Sequence, residues 1–279
     1  MNRLVLCVVL FLCLEGAISS QVIHSPINSS RPNPGVYDPN FLDAFSFTGN
    51  QAVLAYSRKL MAGIYSSRKF LIDELEYTNA ALSFPAASGG IGFQITHFGF
   101  SQYNESELGI SYGRKLGKLI DLGIQFNYYT IQITGYGHAH NMHAELGLIL
   151  HLSDHLHAGI YVYDPAGIKL NGLSNESLSS IFKTGIGYEV SAQAYFQLDL
   201  IKEVDQPIDA DASLHLILTE NLFCGLGIQT NSFSPYGWAA WSWKKLKLGI
   251  SVSHHPQLGF TPGIYIEMGA PVPKKQANR

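Results

Sequence analysis

From Asn104 to Ile133 the chain reads NESELGISYGRKLGKLIDLGIQFNYYTIQI. Leu122, Ile124, Phe126 and Tyr128 alternate with Gly123, Gln125, Asn127 and Tyr129. One face of this stretch is greasy and the other is polar or small. A period of two is the pattern of a β-strand. The short, charged turn at Leu116-Gly117-Lys118 joins it to a second strand of the same kind. In a soluble sandwich the greasy face looks inward. In a membrane barrel it looks out at lipid, and the polar face lines the lumen.

The rest of the chain repeats this unit. Strands are predicted near Arg58–Ser67, Tyr77–Phe84, Gly90–Phe98, Glu105–Lys115, Leu119–Thr134, His140–Leu152 and Leu156–Tyr163. They continue near Ile181–Val190, Gln193–Ile201, Ala210–Leu218, Leu222–Thr230, Gly237–Trp243, Leu246–His254 and Thr261–Met268. Most approach the roughly 9–11 residues that a tilted membrane strand needs. Short turns alternate with longer links, the rhythm of an outer-membrane barrel with short periplasmic turns and longer outside loops. The long links and their strand ends carry twelve acids against five bases. The short-turn ends carry the reverse excess, so the two ends differ in charge. The predicted class is all-β: a transmembrane antiparallel barrel of about fourteen strands, with an even count that leaves both termini in the periplasm. Leu146, Leu148, Leu150 and Leu152 form one lipid stripe, and Leu246, Leu248, Ile250 and Val252 form another. Trp238, Trp241 and Trp243 beside Lys244 and Lys245 read as an interfacial girdle. A secreted soluble β protein is the competing architecture.

The beginning, MNRLVLCVVLFLCLEGAISSQ, has a basic n-region at Arg3, an apolar run and the small-x-small site Ala17-Ile18-Ser19. Residues 1–19 therefore read as a secretory signal peptide. Two of the three cysteines, Cys7 and Cys13, fall inside it, which leaves Cys224 alone and no internal disulfide. Charged residues are only 14% of the chain, while Tyr and Phe number 15 each. Export, few charges and many aromatics suit an outer-membrane barrel. A net charge of −3 gives no nucleic-acid footprint.

Between the leader and the first strand, residues 20–50 are rich in Pro, Asn and Ser and do not read as a strand. They form either a periplasmic arm or a plug. Phe41, Leu42, Phe45 and Phe47 give this segment an apolar end, the part expected to fold into the periplasmic mouth. Gln21 to Asn33 is expected to stay mobile. The barrel is assigned to 51–269 and a periplasmic tail to 270–279.

The inward face should carry Gln94, Thr96, Gln125, Asn127, Tyr129, Glu145, His157, Tyr161, Ser251 and Tyr265. This polar and aromatic mixture lacks a ring of one charge and does not suggest an ion-selective pore. Lumen glycines leave room for a plug or a slim apolar ligand. His138, His140 and His143 read as solvated loop histidines, with a borderline metal as the rival reading. His151, His155 and His157 flank a short turn and read as interfacial. No serine stands in a recognisable setting with Asn141 and His143, so a hydrolase is not supported. No catalytic residue, metal ligand or cofactor is assigned.

The hairpin LGISYGRKLGKLIDLGIQFNYY, with its echoes LGLILHLSDHLHAGIYVYDP and LHLILTENLFCGLGIQTN, resembles the PorV/PorQ-like outer-membrane proteins of Bacteroidota, relatives of the FadL fatty-acid transporters. FTGNQAVLA, Phe47 to Ala55, looks like the Asn-rich entry to the first barrel strand of that group. The resemblance implies a fourteen-strand barrel with an N-terminal hatch and a link to type IX protein secretion. The expected role is a non-enzymatic structural or attachment component in the outer membrane. Its implied partners are outer-membrane lipid and secretion-system or surface proteins. The alternative is a FadL-like channel for hydrophobic small molecules, whose partner is a hydrophobic ligand.

Overall fold

The computed structural model describes residues 21–23, 36–37, 41–171, 176–230 and 233–269. The expected leader and tail lie outside the described residues, as do residues 24–35. Fourteen strands close into an antiparallel barrel. The first seven are β2 (Met61–Arg68), β3 (Glu76–Ala86), β4 (Gly89–Phe100), β5 (Tyr103–Leu116), β6 (Ile120–Ile133), β7 (Gly137–His151) and β8 (Leu156–Tyr163). The others are β10 (Ile181–Ser191), β11 (Ala194–Glu203), β12 (Asp209–Ile217), β13 (Leu222–Gln229), β14 (Ser234–Trp243), β15 (Leu246–His255) and β16 (Gly259–Met268). Each strand pairs with its chain neighbours. β16 returns to β2 with Gly263 opposite Ser67 and Met268 opposite Ala62. Every barrel strand therefore has a partner on both sides, and the barrel has no edge.

The period of two sorts the side chains. Phe126 is 62% exposed while its neighbour Gln125 is fully buried. Ile95, Leu226, Leu248, Ile250 and Ile264 face outward in the same way. The barrel thus wears an apolar coat over a polar and aromatic interior, the inverse of a soluble core. The tryptophans divide. Trp241 and Trp243 are exposed, but Trp238 turns inward against His215. Odd and even positions of one strand cannot share a face, so Trp238 leaves the expected girdle.

The barrel begins later than the sequence suggests. Residues 51–60 contribute no barrel strand; Gln51–Tyr56 is a 3-10 helix and the first barrel strand starts at Met61. Asn50 causes this. Its backbone is extended, and its Oδ1 accepts from Ala52 N at 3.0 Å, an N-cap that starts a helical turn. The three histidines His138, His140 and His143 all lie within β7, not in a loop. His138 and His140 are exposed, and His143 is buried.

Gln21–Ile23 forms a short strand, β1, where free chain was expected. It runs parallel to β9 (Glu176–Leu178), which lies in the long link between β8 and β10. That link lies at the barrel end opposite the short turns. The segment before the barrel is therefore not confined to the short-turn mouth.

The two faces should answer differently to a charge. Ile250→Arg, mid-strand on the outer coat, is expected to destabilise the barrel by about 2–4 kcal/mol. Ser253→Arg, three residues on and facing inward, should cost far less. Urea unfolding in lipid vesicles measures both, and equal losses would put the faces the wrong way round.

Candidate functional site

The lumen is the candidate site, and the chain's own N-terminal segment occupies it. Leu42, Phe45 and Phe47 are buried inside the barrel. The Phe41 ring stacks on Tyr195 with centroids 5.3 Å apart. Gln51–Tyr56 crosses the short-turn mouth beneath β4 to β7, where packing leaves no space for side chains on the wall. A Cβ on Gly147 would stand 2.2 Å from Asn50 Oδ1, and one on Gly123 would stand 2.3 Å from the Gln51 carbonyl carbon. The lumen glycines are thus filled by the plug. Higher in the barrel, Tyr37 takes the space beside Gly159, where a Cβ would meet its ring at 2.1 Å.

Polar bonds fix the segment to the wall at intervals. Tyr37 OH donates to Asp199 Oδ1 at 2.6 Å, and Val36 N donates to Gln197 Oε1 at 3.2 Å. Ala44 N donates to Glu267 Oε2 at 3.4 Å. Asn50 Nδ2 reaches the backbone oxygens of Leu148 and Ile160 at 3.3 and 3.2 Å. Gln51 Nε2 donates to Glu145. Tyr56 OH lies 2.7 Å from His151 Nε2, and Lys115 Nζ sits 4.1 Å from the Tyr56 ring centroid.

Behind Gln51 lies a buried polar wall. Glu145 accepts from Gln125 Nε2 and Tyr161 OH, both at 3.0 Å, and from Asn127. Glu107 accepts from Tyr163 OH at 2.9 Å and Gln94 Nε2 at 3.2 Å. His143 Nε2 stands 3.5 Å from Glu107 and 3.0 Å from Asn127 Nδ2. Thr96 Oγ1 accepts from Asn79 at 2.7 Å. Buried polar groups demand partners, and neighbouring strands supply many of them here, although Gln94 Oε1, Gln125 Oε1 and His143 Nδ1 are left without a hydrogen bond.

All ten residues expected to face inward are buried in the barrel: Gln94, Thr96, Gln125, Asn127, Tyr129, Glu145, His157, Tyr161, Ser251 and Tyr265. The structure brings Gln125, Asn127, Glu145 and Tyr161 into one cluster, with Gln94 linked to the adjacent Glu107. Ser251 and Tyr265 lie across the lumen on β15 and β16, and His157 sits at the short-turn mouth. The sequence reading missed Glu107, His143 and Gln51. Glu107 and His143 stand on the inward register of their strands and were legible from parity alone. Gln51 was hidden by reading its segment as the approach to a strand.

At the other mouth, burial pushes the Asp164 carboxyl up to about 6, against backbone bonds from Ile168 and Gly167 that pull it down. Asp164 Oδ2 accepts from Ile168 N at 3.1 Å, and Ser180 Oγ donates to the Asp164 carbonyl at 2.6 Å.

No family model matches the chain, and no curated protein matches its sequence. Solved structures do match its fold. A structure described as the CymD monoaromatic hydrocarbon channel superposes with a TM-score of 0.61 at 9% identity, over 85% of this chain and 94% of that one. The Ralstonia pickettii toluene transporter TbuX gives 0.60 at 9% identity, over 81% and 93%. A Pseudomonas aeruginosa FadL homologue gives 0.58 at 8% identity, over 90% and 100%. The fold is that of the outer-membrane channels. With its apolar coat, the barrel resides in an outer membrane.

Two outcomes are expected. Gly159→Leu should evict Tyr37 and raise single-channel conductance in planar bilayers while the unheated protein still migrates as a closed barrel. Unchanged conductance would mean that Tyr37 does not obstruct the lumen. The second concerns Asp164. Its folded affinity for the proton exceeds that of free chain, near pH 4, so its contribution is complete below about 4 and is lost as pH rises through 6. A spin label at Ile168→Cys in a Cys224→Ser background should loosen over that range, and Asp164→Asn should flatten the response.

Proposed function

We propose that the chain is a non-enzymatic outer-membrane channel for small hydrophobic molecules, with residues 36–37 and 41–57 as its hatch. One observation carries the reading: the mouth of a fourteen-strand barrel is filled by an aromatic segment of the same chain, bonded to the wall at discrete points. An open aqueous pore has no need of such a segment. The fold shared with a monoaromatic hydrocarbon channel and a toluene transporter supports the same reading. The ligand class is therefore hydrophobic, and the ten inward residues line its route once the hatch moves. Phe41, Leu42, Phe45 and Phe47 are the hatch's apolar plug. A structural or attachment role linked to type IX secretion rests on the sequence resemblance alone, and the channel reading has the stronger support.

Cells carrying the barrel should take up radiolabelled toluene faster than cells with empty vector, while sucrose uptake stays unchanged. Deleting Phe41–Phe47 should let sucrose in as well. Toluene uptake at the vector level would reject the channel. A deletion that leaves sucrose excluded would reject the hatch.

A further inference from the structure

The hairpin joining β7 to β8 reads HLSDHLH, residues 151–157, and puts three histidines and an aspartate within seven positions. The structure folds two of them against each other. His151 Nδ1 and His157 Nδ1 stand 2.9 Å apart. His151 Nε2 lies 2.6 Å from Asp121 Oδ2 on β6. A carboxylate only accepts, so His151 gives its Nε2 proton to Asp121 and turns a bare Nδ1 lone pair toward His157. Two facing ring nitrogens at this separation are bridged by one proton or by one cation.

The surroundings favour the cation. The pair borders a cavity of about 510 Å³ at the short-turn mouth, lined also by Asp154, Glu189 and Tyr56. Lys115 and Lys118 line it too, and Asp121, Asp154 and Glu189 offset them. His155, largely exposed, has its Nδ1 3.7 Å from Glu189. A carboxylate behind a histidine fixes its tautomer and raises its basicity, the arrangement that accompanies metal-bound imidazole. Two nitrogens each about 2.0–2.1 Å from a tetrahedral zinc ion sit about 3.3 Å apart. The rings need to part by about 0.4 Å and to turn so that both lone pairs converge on one point. Among the described residues no three His, Cys, Asp or Glu side chains already form a metal-holding group. The two imidazoles would be the anchors, and water from the cavity would complete the shell.

We propose that the short-turn mouth binds a divalent transition-metal ion of the zinc type between His151 and His157, with Asp121 orienting His151. The ion replaces the shared proton and clamps the two strands of the hairpin at their turn. Because Tyr56 touches His151, the same ion braces the end of the hatch helix against the wall.

The test uses the full chain, solubilised in detergent and without a histidine tag, titrated with zinc sulfate by calorimetry. His151→Ala and His157→Ala should each weaken binding at least tenfold. Asp121→Asn should weaken it roughly 10–100-fold. Replacing His138, His140, His254 and His255, which stand toward the opposite mouth, should change nothing. If a variant does not fold, X-ray absorption on the zinc-loaded wild type decides. Two imidazole nitrogens at about 2.0–2.1 Å are expected. Absent binding, binding untouched by both alanine variants, or fewer than two imidazoles in the shell would overturn the proposal.

Discussion

Hydrocarbon offers the peptide backbone no partner. Every N–H and C=O that meets lipid must therefore be bonded within the protein, at several kcal/mol for each failure. In this chain that demand falls on the seam between β16 and β2, where the first and last barrel strands meet. Everything else follows from closure. With the seam made, side chains have only two places to go, and the period of two assigns each to lipid or lumen. The polar wall around Glu107 and Glu145 exists because closure turns one face of every strand inward.

A closed cylinder of this size still has to be filled. Side chains alone do not fill it, because glycines recur on the inward register at positions such as 123, 147 and 159. The N-terminal segment supplies the missing volume. It meets the wall through a few carboxylates and amides and through aromatic stacking. Those bonds are separated along the segment and mostly neutral on one side. Such a contact is firm when complete and can be undone one bond at a time, which suits the proposed hatch. The hairpin cluster of His151, His157 and Asp121 stands where Tyr56, at the end of this segment, meets the wall.

The strands were legible because their signal is local and repeated. Leu122 to Tyr129 reveals its two faces without reference to any other residue, and the count of fourteen follows from summing such stretches. The apolar end of the plug was legible for the same reason, since Phe41, Leu42, Phe45 and Phe47 are conspicuous beside prolines. Gln51–Tyr56 was not. QAVLA has no period of two, and the Asn50 cap that makes it helical is masked by the likeness of the stretch to the entry of a first strand. The Glu107–His143 contact joins residues 36 positions apart in sequence, and only the register of β5, β6 and β7 brings them together. The β1–β9 pairing was invisible for a stronger reason: three residues carry too little pattern to choose a partner 155 positions away.

That pairing also bears on how the molecule is made. β1 lies at one mouth, Tyr37 lies inside, and Gln51–Tyr56 lies at the other mouth. The described pieces of the N-terminal segment thus stand at both mouths and between them, and the barrel is closed around this cord. A cord attached at its exit cannot easily be threaded through a finished ring, and it cannot be withdrawn sideways without parting the ring. Assembly is simplest if the cord is laid against the curling sheet before β16 reaches β2, so that the last ladder to form is also the lock. Contacts between chain ends are then the final ones made, a high-contact-order step of the kind that slows folding. The ring that keeps lipid out is what holds the cord in.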